Sequence, residues 1–211
     1  MRLIGLTGGI ATGKSSFARA LRGLGAQVLD ADQLARAAVE KGTRTLAAVA
    51  AAFGEEVLTE EGELDRARMA ARVFSDPSAR ARLESLVHPA VRALFRAELA
   101  RLEGEGHQVV FYDVPLLFEA GLTGEVDLVV VVWAPREVEL ARLRSRDGLD
   151  RVAAEARLSA QKPIDEKAAL ADVVVANDGD LAALAAKAKR LFEDVTRGLA
   201  RRLPNASPAR Y

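Results

Sequence analysis

The chain has 211 residues, enough for one full core or one core carrying small inserted subdomains. Half of the residues are hydrophobic and 28% are charged, a globular balance rather than a disordered or fibrous one. With 30 Lys and Arg against 30 Asp and Glu, nothing in the charge recommends nucleic acid as a partner, and zero cysteines exclude disulfides, Cys-ligated zinc and thiol catalysis.

The first apolar run, Leu3 to Leu6, predicts a strand, and Ser16 to Leu24 reads as a helix. Between them Gly8-Gly9-Ile10-Ala11-Thr12-Gly13-Lys14-Ser15 completes a G-x-x-x-x-G-K-S loop in the strand-to-helix context that confirms it. Glycines let the backbone approach a ligand and aim successive N–H groups at phosphate oxygens, at the positive end of the following helix. Lys14 is expected to reach the β and γ phosphates rather than a protein partner, and Ser15 to offer its hydroxyl to Mg²⁺. A strand beginning at Arg2 leaves no room for a signal peptide, and the longest apolar run, Val126 to Ala134, is too short to span a bilayer. The expected location is cytoplasmic, with no membrane partner.

Further strands are predicted at Gln27 to Leu29, Val109 to Tyr112, Leu128 to Trp133 and Val173 to Ala176. Short apolar runs alternating with helical stretches predict an α/β fold with a parallel sheet covered on both faces. Asp30 and Asp32 follow the second strand, at the carboxyl end of the sheet where ligands bind in open α/β folds. Either could be a helix cap instead, and Asp32 is the better functional candidate. The long stretch before the third strand shows only helical segments, broken at Gly42, Gly54, Gly62, Pro77 and Pro89, and suits an insertion that holds a second substrate. His88 lies at the last of these breaks.

Asp113 ends the third strand, in the manner of a carboxylate that orients Mg²⁺ or its waters. From Pro135 to Lys162 six arginines suggest a mobile cover, and Arg142 and Arg146, four apart on one helix face, make at least one of them a candidate for phosphoryl transfer. Asn177 ends the last predicted strand, where a purine could receive hydrogen bonds. The stretch 201–211 reads as a disordered tail.

Leu6-Thr7-Gly8-Gly9-Ile10, Asp30-Ala31-Asp32, Leu64-Asp65-Arg66, Val87-His88-Pro89, Asp113-Val114-Pro115-Leu116-Leu117-Phe118-Glu119, Arg142 with Arg146, Ala160-Gln161 and Ala171-Asp172 through Asn177 occur together in one order and spacing. In this the chain resembles the bacterial dephospho-CoA kinases, from Leu3 to about Leu191. The segment Asp113 to Glu119 is the most specific piece, and Ala11 is a departure, since the family usually has Gly there. The resemblance implies a P-loop kinase with a five-stranded parallel sheet, a core of about 1–40, 107–134 and 163–200, a CoA-binding helical insertion over about 41–106 and a lid over about 135–162. It implies transfer of the ATP γ-phosphate to the 3′-hydroxyl of the dephospho-CoA ribose, the last step of CoA synthesis, with Mg²⁺ as cofactor. Ala11, Thr12, Gly13, Lys14, Ser15 and Ser16 would then bind ATP phosphates, with Asn177 by the adenine. Asp32 would activate the hydroxyl, Arg142 with Lys14 would steady the transferring group, and Arg66, His88, Asp113 and Leu116 would contact the acceptor.

A regulatory GTPase would share the loop but needs D-x-x-G and N-K-x-D motifs, where this chain has Asp113-Val114-Pro115-Leu116 and Asn177-Asp178-Gly179-Asp180. A nucleoside or nucleotide monophosphate kinase is the nearer competitor, distinguished by its acceptor. Few aromatic residues and a balanced charge disfavour a nucleic-acid motor.

Overall fold

The computed structural model describes residues 1–200 and 208–211. Five strands form where apolar runs predict them: β1 (Arg2–Gly8), β2 (Gln27–Asp30), β3 (Val109–Asp113), β4 (Leu128–Trp133) and β5 (Val173–Ala176). A sixth, β6 (Ala209–Arg210), joins the same sheet, and the order among the described residues is β2-β3-β1-β4-β5-β6. The β1–β3, β1–β4, β4–β5 and β5–β6 pairs are parallel. Val129 to Val132 are all buried, as a strand covered on both faces requires.

The sixth strand corrects two expectations: the sheet has more than five strands, and residues 208–211 are ordered against it, while 201–207 lie outside the described residues. Two residues carry no periodicity that could announce a strand. What holds them is backbone pairing and one aromatic ring. Ala209 N–H donates to the Asp172 carbonyl at 3.0 Å, Tyr211 N–H donates to Val174 at 3.0 Å, and Ala176 N–H donates to Tyr211 at 3.1 Å. The Tyr211 hydroxyl donates to Asp194 at 2.6 Å, with the Arg190 guanidinium 5.3 Å from the ring centroid. Burial and then the Asp194 carboxylate push the Tyr211 phenol up to about 12.

The chain divides into two compact units, Met1–Leu29 with Gly106–Tyr211, and Asp30–Glu105. In the first, the helices are α1 (Lys14–Gly23), α6 (Arg136–Asp147), α7 (Arg151–Ser159), α8 (Ile164–Ala169) and α9 (Leu181–Thr196). Phe17, Ala18 and Leu21 of α1 and Leu184, Ala188, Leu191 and Val195 of α9 meet Ile4, Leu6, Phe111 and Val130 of the sheet in one core. The stretch expected as a lid folds here as α6 and α7. Their Leu140, Leu143, Ala154 and Leu158 form a small apolar cluster against which Ile10 and Ala11 of the phosphate loop pack.

The second unit holds α2 (Ala31–Ala38), α3 (Arg44–Phe53), α4 (Arg66–Ser75) and α5 (Pro77–Gly104). It begins at Asp30 rather than near residue 41, because α2 packs on α5. Val49, Phe53, Val57 and Met69 form its core with Leu83, Leu86 and Val87 packed against them. Glycines 42, 54 and 62 end segments as expected, and Pro77 opens α5. Pro89 does not break the chain: α5 runs through it as a single helix. Its missing N–H removes one bond, to the Ser85 carbonyl, and the apolar contacts of the preceding turns keep the helix continuous.

Ala11 takes a left-handed conformation, φ 63°, the only non-glycine residue among those described to do so. That explains why glycine suits this position. The strain of about 1–2 kcal/mol in an L-residue exceeds the roughly 0.4–1 kcal/mol by which glycine loosens the unfolded chain. Ala11→Gly is therefore expected to raise Tm by about 1–3 °C. A fall in Tm on thermal melting would mean that the Ala11 methyl contact with the α6–α7 cluster outweighs the strain.

Candidate active site

The phosphate loop runs from the end of β1 to the start of α1, and Gly13, φ 92°, is the residue that caps the helix. Its shape is fixed from inside and outside. Inside, Thr12 is fully buried and its hydroxyl donates to the Gly9 carbonyl at 2.9 Å. Outside, the Asn177 amide donates to the Thr12 carbonyl at 2.7 Å, and Arg142 Nη1 lies 3.5 Å from the same oxygen. In a planar trans peptide C=O and N–H point opposite ways, so holding the Thr12 carbonyl outward turns the Gly13 N–H inward. A side chain at Gly13 would collide with the Asn177 amide, which gives this glycine a steric as well as a conformational reason. The Ile10 N–H is consumed elsewhere, donating to Gln161 Oε1 at 3.2 Å.

Lys14 and Ser15 stand in the first turn of α1. The Lys14 ammonium donates to the Asp113 carboxylate at the end of β3, buried to 4% exposure. This corrects the expectation that Lys14 has no protein partner: the sheet order puts β3 beside β1, and the two motif residues meet across it. The Ser15 side chain is exposed and makes no hydrogen bond among the described residues. No three His, Cys, Asp or Glu side chains among the described residues cluster to hold a metal, so a cation here would be shared with phosphate oxygens. The Ser15 hydroxyl on a phosphate loop fits Mg²⁺ in that form, as an ion that keeps few protein ligands.

Arg142 and Arg146 share a helix but not a task. Arg142 is half-buried and its Nη2 donates to the Asn177 carbonyl at 3.2 Å, which sets its guanidinium over the loop. Arg146 is exposed and held by Asp147 at 2.7 Å, and Arg157 bonds the same carboxylate. The Asn177 amide donates to Thr12, so this residue, which the resemblance places by adenine, also braces the loop. Leu116 is 43% exposed on the segment after β3, which is fixed by the Thr7 hydroxyl donating to the Pro115 carbonyl at 3.1 Å.

In the second unit Asp30 is the cap of α2, its carboxylate accepting from the Asp32 and Gln33 N–H groups at 2.9 and 3.1 Å. That resolves the two carboxylates: Asp30 is structural, while the Asp32 side chain is exposed and engaged by no other described residue. Arg66 is the exposed first residue of α4, following the cap Asp65. His88 is exposed on α5 and lines a groove of about 430 Å³ with Glu84, Arg92 and Arg96. Arg92 and Arg96 follow His88 at the four-residue spacing of one helix face, a signal the sequence carried and the motifs did not use.

Three other groups around the loop carry no role in the sequence reading, although Glu119 closes the segment Asp113 to Glu119. Lys167 is fully buried, paired with Glu119 at 2.8 Å. Burial would raise the Glu119 carboxyl, but the Lys167 ammonium holds it below the usual carboxylate range. Glu119 also accepts from the Lys162 N–H at 3.2 Å. Glu139 is the third, 3% exposed beside Gly9, and burial pushes its carboxyl up to about 7. The available signal was a charged residue at a core position: Glu139 precedes Leu140 and Leu143 on the buried face of α6, and Lys167 lies between Ile164 and Ala168 on that of α8.

Comparison with known proteins gives this arrangement its family. Residues 2–183 match the family model described as dephospho-CoA kinase. The dephospho-CoA kinase of Anaeromyxobacter dehalogenans is 61% identical over all of both chains. That of Syntrophotalea carbinolica is 51% identical over 86% of each. Among solved structures, a protein from Thermus thermophilus is 40% identical with a TM-score of 0.78, covering 94% of this chain and 97% of its own. The dephospho-CoA kinase from Campylobacter jejuni is 30% identical with a TM-score of 0.72, covering 94% of this chain and 99% of its own. The chain belongs to the dephospho-CoA kinase family and is an ATP-dependent kinase of coenzyme A biosynthesis.

Proposed function

We propose that the residues described above divide the transfer of the ATP γ-phosphate to the dephospho-CoA 3′-hydroxyl as follows. The N–H groups of residues 11–16 hold the phosphates, and Lys14 neutralises the β and γ groups after exchanging Asp113 for phosphate. Arg142 steadies the charge that spreads over the transferring group, its planar fork suiting the equatorial oxygens. The observation that carries this reading is that Arg142 lies on the loop carbonyl while Arg146 is tied to Asp147. Ser15 would hold Mg²⁺, which supplies positive charge to the phosphates when bound.

Asp32 orients the acceptor hydroxyl and takes its proton. Support comes from its exposed, uncommitted carboxylate immediately after β2, with capping left to Asp30. Arg66, His88 and Leu116 contact the acceptor, while Asp113 serves through Lys14. The stretch 135–162 acts as a lid whose apolar side packs on Ile10 and Ala11, excluding water from the phosphates. Location is read as cytoplasmic, with no nucleic acid or membrane as partner, in keeping with the balanced charge and with no helix among the described residues long and apolar enough to cross a membrane.

The direct test is ADP release with dephospho-CoA against nucleoside monophosphates as acceptors. Preferential turnover with a monophosphate would assign the loop to the competing kinase class.

Lys14→Ala is expected to abolish transfer and, by removing the ammonium from buried Asp113, to cost about 3 kcal/mol of stability. The Lys14→Ala/Asp113→Asn pair should regain much of the Tm without regaining transfer, which separates the lysine's two roles. Arg142→Ala should lower kcat by more than it weakens ATP binding, because its contact strengthens in the transition state. A change confined to ATP affinity would make it a ground-state anchor. Asp32→Asn should leave binding of both substrates intact by calorimetry and lower the single-turnover rate by roughly two orders of magnitude or more. Near-normal turnover there would remove Asp32 from the chemistry.

A further inference from the structure

The inside of α6 carries a carboxylate where an apolar side chain would be ordinary. Glu139 is 3% exposed, and no described residue donates a hydrogen bond to its carboxyl. One oxygen stands 2.6 Å from the point where a Cβ on Gly9 would sit, with Thr12 Cγ2 at 3.2 Å and Ile164 Cδ1 at 3.7 Å from that point. The carboxyl therefore presses on the backbone that opens the phosphate loop, and any side chain at Gly9 would displace it.

Three elements face this group: the loop, α6 and α8. Residues 9–13 of the loop carry no charge. On α6 the nearest cation is Arg136, one turn earlier, while Arg142 is directed at Thr12 and Asn177. On α8, Lys167 is claimed by Glu119 at 2.8 Å, and Asp165 accepts from the Trp133 indole N–H at 2.6 Å. Arg136 and Lys167 attract the ionised form and Asp165 repels it, but burial outweighs them and sets the carboxyl near 7. No salt bridge among the described residues relieves it.

We propose that Glu139 is a proton-coupled positioning residue of the phosphate loop, protonated when the triphosphate is seated and ionised only when the loop is empty. The idea rests on the loop being the ATP phosphate site. A carboxylate in a site poor in water repels the several negative charges that the loop must gather, and protonation removes that repulsion without moving the backbone. Linkage fixes the sign. Below pH 7 the proton is already present and ATP binds without exchange. Above pH 7 ATP binding must take up a proton, so affinity falls as pH rises, by up to about tenfold per pH unit.

The test is calorimetric titration of MgATP into the full chain, without acceptor, between pH 6 and 8 in buffers of different ionisation enthalpy. The wild-type chain should take up a substantial fraction of a proton at pH 7.5, and its affinity should fall up to about tenfold from pH 7 to 8. Glu139→Gln, which keeps the shape in a neutral form, should show neither and should bind MgATP more tightly than wild type at pH 8. A side chain that only filled space would leave both pH profiles alike. Equal pH dependence in the two proteins overturns the proposal. If Glu139→Gln fails to fold, proton uptake by the wild type alone decides, and an uptake of zero overturns it. Absence of any MgATP binding would bring down the phosphate-loop reading as well, whereas tight binding without proton uptake would leave that reading standing and remove only Glu139's part.

Discussion

The hydrogen bond from the Asn177 amide to the Thr12 carbonyl is the constraint from which the site follows. A phosphate loop has to keep its N–H groups pointing at a place where, in the absence of ligand, nothing holds them. Left alone, its peptides would rotate and satisfy themselves locally. Here the outward carbonyl is taken by a residue at the end of β5, so the inward N–H inherits the rigidity of the sheet. A buried bond of this sort contributes about 1 kcal/mol net, but its larger effect is geometric, because preorganised dipoles need no rearrangement when charge arrives. Arg142 touches the same carbonyl and the Asn177 carbonyl, so the cation and the loop share one reference point.

A second constraint is buried charge. Lys167 has no exposure, and its ammonium is compensated by Glu119 at 2.8 Å and approached by the Pro115 carbonyl at 3.5 Å. Both partners come from the segment after β3, so a cation on α8 ties that segment to the far end of the chain. Removing either partner would leave the other charge in a poorly solvated place, which makes the pair a demanding determinant of local shape. The same surroundings give Glu139 its unusual chemistry, since Lys167 is already occupied and cannot answer a second carboxylate fully.

Much of this was legible in the sequence because apolar runs and glycines act locally. The strands β1 to β5, the G-x-x-x-x-G-K-S loop and the glycine stops at 42, 54 and 62 each depend on a few adjacent residues. The partners were harder, being set by topology. Asp113 is readable as an acid at a strand end, yet its bond to Lys14 exists because β3 lies beside β1 in the sheet. Pro89 was misleading for the opposite reason: a local rule against helix was overridden by apolar packing on the preceding turns. That the Asn177 amide ends on the loop carbonyl was not legible, since side-chain destination is not encoded in spacing. Of the two carboxylates after β2, only cap geometry could separate the structural from the uncommitted one.

The short strand β6 carries a further consequence. Without it, β5 would be the outer strand of the sheet, with Val173, Val174 and Val175 buried in side chain but unpaired along one row of backbone groups. Such an edge is a template for another chain, and three consecutive valines make it a strongly β-prone one. Ala209 and Tyr211 occupy that row, and the ring fastens them through Asp194 and Arg190. The outer edge of the sheet among the described residues is thereby only two residues long, and an edge so short offers a second chain little to pair with.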